Sequence, residues 1–91
     1  MEKTKRVPVE KISRGAVIEM IREEWEKEIS KKGPGIFVSS HELRGVLDEE
    51  VEEVREAVHK NDRASLRKEL RDVIVACLHG IASIDSEKMD W

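Results

Sequence analysis

One stretch, Gly45 to Gly80, constrains the fold more than any other part of the chain. It reads GVLDEEVEEVREAVHKNDRASLRKELRDVIVACLHG, two amphipathic helices joined by a short polar turn. Each helix carries two carboxylates three residues apart, Glu50 with Glu53 and Glu69 with Asp72. At about 3.6 residues per turn, i and i+3 leave an α-helix on the same side. With Val46 at zero and about 100° per residue, Leu43, Leu47, Val51, Val54, Ala57 and Val58 fill an arc from roughly 20° to 140°. Glu50 falls inside that arc and Glu53 at its edge, whereas Asp48 and Glu52 point away. On the following helix, Leu66, Leu70, Val73, Ile74, Ala76, Cys77 and Ile81 form the side expected to be buried. Glu69 lies between Val73 and Ala76 on that wheel, and Asp72 flanks Ala76.

Carboxylates turned toward an apolar face need a counter-charge. No Lys or Arg falls within either apolar arc, so a divalent cation is the simplest candidate. Carboxylate oxygen without His or Cys favours a hard ion, Mg²⁺ or Mn²⁺, over zinc. The Glu-x-x-His pairs of di-iron bundles are absent. The plain alternative is an acidic surface on two charged helices, the usual explanation for either pair alone. Two inward-turned pairs on neighbouring helices favour a site.

Glu49-Glu50-Val51-Glu52-Glu53 followed by Glu69-Leu70-Arg71-Asp72 resembles the EExxE…ExxD motif of MazG-type, all-α nucleoside triphosphate pyrophosphohydrolases. About forty residues carry the resemblance strongly. Upstream, IREEWEKE and KKGPGIFVSSHELRGVL are more weakly similar to the first helix and connecting loop of that family. The resemblance implies a Mg²⁺-dependent enzyme that splits a nucleoside triphosphate into monophosphate and pyrophosphate. It implies Glu50, Glu53, Glu69 and Asp72 as metal ligands, with Glu49 a further ligand or a group that orients water. Phosphoribosyl-ATP pyrophosphohydrolases carry a similar pattern and are the nearest enzymatic alternative. A non-catalytic helical dimerisation module is the alternative of another class. Ala76 stands where the family often has an aromatic, which leaves the substrate open more than the metal site.

Other residues fit this scheme less tightly. Trp25 suits stacking on a nucleobase and packing on the first helix's stripe equally well. Phe37 is a second stacking candidate, with loop anchoring the stronger reading. Lys31 and Lys32 are candidates for phosphate contact, although paired lysines at a helix end are commonly just solvated. His79 reads as a polar rim residue, and His41 and His59 fall away from the inferred site.

The rest of the chain supports a single all-α domain over residues 1–91, with 1–7 and 85–91 as flexible tails. Helices are expected from about Val9 to Lys32, Ser40 to Lys60 and Arg63 to Ser83. Gly33-Pro34-Gly35 stops the first, Ser39 with Glu42 caps the second, and Asp62 caps the third. With 41% charged residues and 3% aromatics, the core is thin and aliphatic. Three amphipathic helices of this kind do not cover one another, so a homodimer or homotetramer is expected. A net charge of −3 with interspersed signs gives no case for nucleic acid. No apolar run is long enough to span a membrane, and a single cysteine fits a reducing cytoplasm. Cys77, in mid-stripe, reads as an inert core thiol.

Overall fold

A computed structural model describes residues 6–91, so most of the expected N-terminal tail lies outside the described residues. Three helices follow one another: α1 (Lys11–Lys32), α2 (Ser40–His59) and α3 (Arg63–Asp85). The expected boundaries hold to within two residues at every end. No helix is long and apolar enough to cross a membrane.

The ends of the helices follow from local chemistry. Gly33 closes α1 with φ +92°, a conformation open to glycine, and its N–H reaches the Ile29 carbonyl at 2.8 Å. Ser39 Oγ accepts from Glu42 N at 3.2 Å, as the expected cap requires. Glu42 reaches back one residue further than a capping box prescribes, accepting from Val38 N at 3.2 Å. Asn61 turns the chain at φ 56°, and Asp62 then accepts from both Ser65 N (3.0 Å) and Ser65 Oγ (2.7 Å). So short a connection folds α3 back along α2 as an antiparallel neighbour.

α2 packs along α3, whereas α1 rests on α3 alone. Gly80 is buried at the α2–α3 contact, and a Cβ there would sit 2.8 Å from Leu43 Cδ1. Between the two readings of this glycine, a tolerated helix interruption and a close approach, the structure selects the approach. The chain after α3 is tied down. Asp90 pairs with the loop before α2, through Asp90 N to Val38 O and Ser40 N to Asp90 O, both 2.9 Å. Residues 85–91, read from the sequence as a flexible tail, thus comprise the last residue of α3 and a strap held by two backbone hydrogen bonds.

The core is smaller than the apolar pattern suggests. Only Ile21, Ala57, Val75 and Ala76 are buried hydrophobic residues among those described. Val51, Val58, Leu70, Ile74 and Ile81, expected inside, are exposed. Cys77 is exposed as well, which corrects its assignment as a core thiol. The reason is geometric: α3 turns Val75, Ala76, Gly80 and Ser83 toward its neighbours and has no third layer to cover the opposite side.

Candidate metal centre

The α2–α3 hairpin brings the two halves of the acidic motif together. Glu50, Glu69 and Asp72 each offer a carboxylate oxygen, all within 4.8 Å of one another. Glu50 Oε2 and Glu69 Oε2 are shielded from solvent and have no hydrogen-bond partner. An acceptor left in that state costs about 1–3 kcal/mol, and here there are two, on facing helices. An all-carboxylate donor set with unsatisfied inward oxygens fits a hard divalent cation.

Electrostatics follow the crowding. Burial, reinforced by the charges of Asp72 and Glu69, holds the Glu50 carboxyl above its ordinary value. Hydrogen bonding to Glu69, followed by the charges of Glu50 and Glu69, pushes Glu53 up to about 7. Glu53 is exposed beside the triad and outside its 4.8 Å circle. Glu49 is exposed and also outside it.

Two cations reach the cluster although neither falls within an apolar arc. Lys68 Nζ lies 3.4 Å from Glu69 Oε1 and 3.3 Å from Asp72 Oδ2. Arg71 spans Asp72 Oδ1 at 3.3 Å and Glu24 Oε1 of α1 at 3.5 Å. Both project from positions off the apolar stripe, but their long stems let the charged ends curl back over it. Lys68 and Arg71 offset only part of the charge of Glu50, Glu69 and Asp72, since Arg71 is shared with Glu24. Hydrogen bonding to Asp72 and the charges of Asp72 and Glu69 raise the Lys68 pKa, so that ammonium stays charged throughout the neutral range.

This charge pattern makes stability depend on pH and metal together. Between the ordinary carboxyl value of 4.5 and about 7, the folded chain binds more protons than the unfolded chain, through Glu50 and Glu53. Stability of the metal-free protein therefore falls as pH rises across that window. The lowered Asp62 carboxyl acts below it, and the raised Lys32 and Lys68 act above it. Thermal melts without metal are expected to give a higher Tm at pH 5 than at pH 8. Saturating Mg²⁺ is expected to flatten that slope by displacing the protons.

A cavity of about 350 Å³ opens beside the cluster, walled by Glu24, Glu28, Lys31 and Lys32 of α1 together with Glu50, Lys68, Arg71 and Asp72. The structure thus brings Lys31 and Lys32 to the acids. Lys32 is already paired with Glu28 at 2.9 Å. A second cavity, about 200 Å³, adjoins it and shares Glu28, Lys32 and Val75, with Trp25 and His79 on its wall. Phe37 lines neither cavity; its ring meets the edge of His79 at 5.1 Å, and its N–H donates to Ser83 Oγ at 3.0 Å. A larger cavity of about 520 Å³ lies by Arg55, Val58 and His59 and holds none of the clustered acids, so size does not locate the site.

The sequence pattern leaves Ser83 unremarked and marks His79 only as a polar rim residue two turns beyond Asp72, and the structure gives both a larger part. Ser83 has no exposed surface and joins Phe37 N to the His79 carbonyl, donating to the latter at 2.7 Å. His79 connects α1, the α1–α2 loop and α3. No local spacing signals this, because its partner Trp25 is 54 positions away.

No curated protein and no solved structure matches the chain significantly. The model of the MazG nucleotide pyrophosphohydrolase domain matches residues 38–90, 53 of the 91, which takes in α2, α3 and all of the clustered acids. With an all-helical fold and Glu50 of α2 converging with Glu69 and Asp72 of α3, the chain belongs to the MazG nucleotide pyrophosphohydrolase domain family.

Proposed function

We propose that the protein hydrolyses a nucleoside triphosphate between its α- and β-phosphates, releasing monophosphate and pyrophosphate, with Mg²⁺ as cofactor and Mn²⁺ able to replace it. The observation that carries this reading is the pair of shielded, unpartnered oxygens of Glu50 and Glu69, within reach of Asp72 across the α2–α3 seam. Glu50, Glu69 and Asp72 would hold the cation, with Glu53 beside them. When bound, the cation would offset phosphate charge and acidify water for in-line attack.

The remaining roles fall to side chains of this chain. Glu53, exposed beside the triad, is the candidate general base for taking a proton from water. Glu49, exposed one residue before Glu50, would orient water from the rim. Lys31, Lys32 and Lys68 edge the 350 Å³ cavity and would receive the polyphosphate. Trp25, on the adjoining cavity, would meet the base. Phe37 would support it through the shared contact with His79. A homo-oligomer in the cytoplasm completes the proposal: the exposed apolar side of α3 calls for a second copy, and an exposed thiol is best kept in a reducing compartment.

The test is hydrolysis of the eight common ribo- and deoxyribonucleoside triphosphates and phosphoribosyl-ATP, with Mg²⁺ or Mn²⁺. Release of pyrophosphate in equal amount to monophosphate is the expected result. Release of orthophosphate, or no turnover of any member of the panel, would rule the reading out.

A further inference from the structure

His79 has both ring nitrogens engaged, by two different elements. Trp25 Nε1–H of α1 donates to Nδ1 at 3.1 Å, and Nε2–H donates to the Gly35 carbonyl at 2.7 Å. One nitrogen accepts and the other donates, so the ring is the neutral Nε2–H tautomer. The rings of Trp25 and Phe37 stand edge-on to it at 6.3 and 5.1 Å. Trp25 and Gly35, the two groups that His79 holds, are walls of the 200 Å³ cavity.

That cavity is spaced from the acids by the register of α3. His79 follows Asp72 by seven residues, two turns or about 10 Å along the helix, on nearly the same side. A nucleoside whose phosphates lie at the carboxylates would extend its base in this direction. α1 has no support from α2. It is held on α3 by burial of Ile21 and by the contacts Trp25–His79, Glu24–Arg71 and Arg67 to Met20 Sδ at 3.1 Å. The carboxylate triad, by contrast, is carried by α2 and α3, and α1 touches it through the Glu24–Arg71–Asp72 contact.

We propose that His79 is a positioning residue for the nucleoside end of the substrate, fixing Trp25 and the Gly33–Gly35 turn as walls of the second cavity. This rests on the pyrophosphohydrolase reading above. A histidine that served only to hold the fold together would affect the folded fraction and nothing else. A positioning residue separates KM from kcat, because the groups His79 holds, Trp25 and the turn at Gly35, lie on α1 and the loop after it, whereas α2 and α3 supply the carboxylates.

The experiment compares His79→Leu, which fills space but makes neither hydrogen bond, with His79→Gln, whose amide oxygen can accept from Trp25 while its NH₂ donates to Gly35. Both are made in a Trp91→Phe background, so that Trp25 is the only tryptophan. Expected for His79→Leu is a KM at least tenfold higher, on the triphosphate the wild type turns over best, with kcat within about threefold. Trp25 emission should shift to the red, and His79→Gln should restore both KM and emission. If the leucine variant does not fold, His79→Asn takes its place, since its shorter amide cannot reach both partners. Unchanged KM and emission, an equal loss of kcat, or a glutamine variant no better than leucine would overturn the proposal. Absence of wild-type turnover would instead refute the pyrophosphohydrolase reading. The role of His79 would then be decided by quenching of Trp25 by each triphosphate of the panel. Quenching lost in leucine and kept in glutamine would support it, and any other pattern would overturn it.

Discussion

Replacing Glu50 by Gln is expected to stabilise the metal-free protein while abolishing its activity. Glu50 is the acid whose burial opposes ionisation most directly, and Asp72 and Glu69 add like charge to it. Glutamine keeps the shape, removes one negative charge from the crowd and brings an NH₂ that the orphaned Glu69 oxygen can accept from. Apo Tm should therefore rise. The gain from Mg²⁺, about 2.7 kcal/mol at a hundredfold excess over its Kd for the wild type, should shrink as one ligand is lost. Turnover should fall on the order of 10²-fold or more, as when other preorganised charge-stabilising groups are removed. Glu52→Gln is the matched control. Glu52 lies on the opposite face of α2, paired with Arg55 at 3.4 Å, and its removal should leave all three readouts near wild type. A Glu50→Gln variant with lower apo Tm and an intact Mg²⁺ response would make Glu50 a structural partner, and the proposed centre would be misplaced.

Why Glu50 was legible from sequence, and Lys68 was not, comes down to side-chain length. The wheel positions of Glu50, Glu69 and Asp72 fix where short carboxylates go, since few bonds separate them from the helix. Periodicity and a three-residue turn then bring them together without tertiary information. Lys68 and Arg71 leave the helix in other directions and return over four or more rotatable bonds, so the same wheel misplaces their charges. Caps were readable for the same reason as the acids, because Ser39 and Asp62 act within three residues. His79 lies at the opposite limit. Its partners Trp25 and Gly35 are 54 and 44 positions away, and nothing in a local pattern encodes that meeting.

The stripe of α3 is legible as apolar, and its exposure within one chain agrees with the expectation that three such helices do not cover one another. Periodicity reports which residues avoid water, but not which molecule covers them. On α3 the exposed set is Leu70 (46%), Ile74 (43%), Cys77, Ile81 (58%) and Ile84 (54%). Their spacing is four, three, four, three, the a/d pattern of a helix that pairs with another helix.

From that spacing, a double substitution, Ile74→Arg with Ile81→Arg, is expected to convert a dimer into a monomer of much lower stability. The two isoleucines flank Cys77, which lies midway between Leu70 and Ile84 and therefore at the centre of the stripe. In a two-fold, antiparallel pairing of two such stripes, the centre falls on the symmetry axis and like meets like. Wild-type protein should sediment as a dimer or tetramer at micromolar concentration, with a Tm that rises with protein concentration. A short bifunctional thiol reagent should link the two Cys77 side chains within that dimer. The double variant places guanidinium groups where apolar side chains met. Each isoleucine removed from a buried seam forfeits about 1.5–3 kcal/mol of burial, and 1 kcal/mol corresponds to roughly 4–8 °C in a domain of this size. A loss of more than 10 °C in Tm, with loss of crosslinking, is therefore expected. Because Ile74 and Ile81 are exposed within the single chain, the same substitutions would cost little in a monomer. A wild-type monomer whose Tm ignores both concentration and the double substitution would show that α3 carries this stripe uncovered in solution.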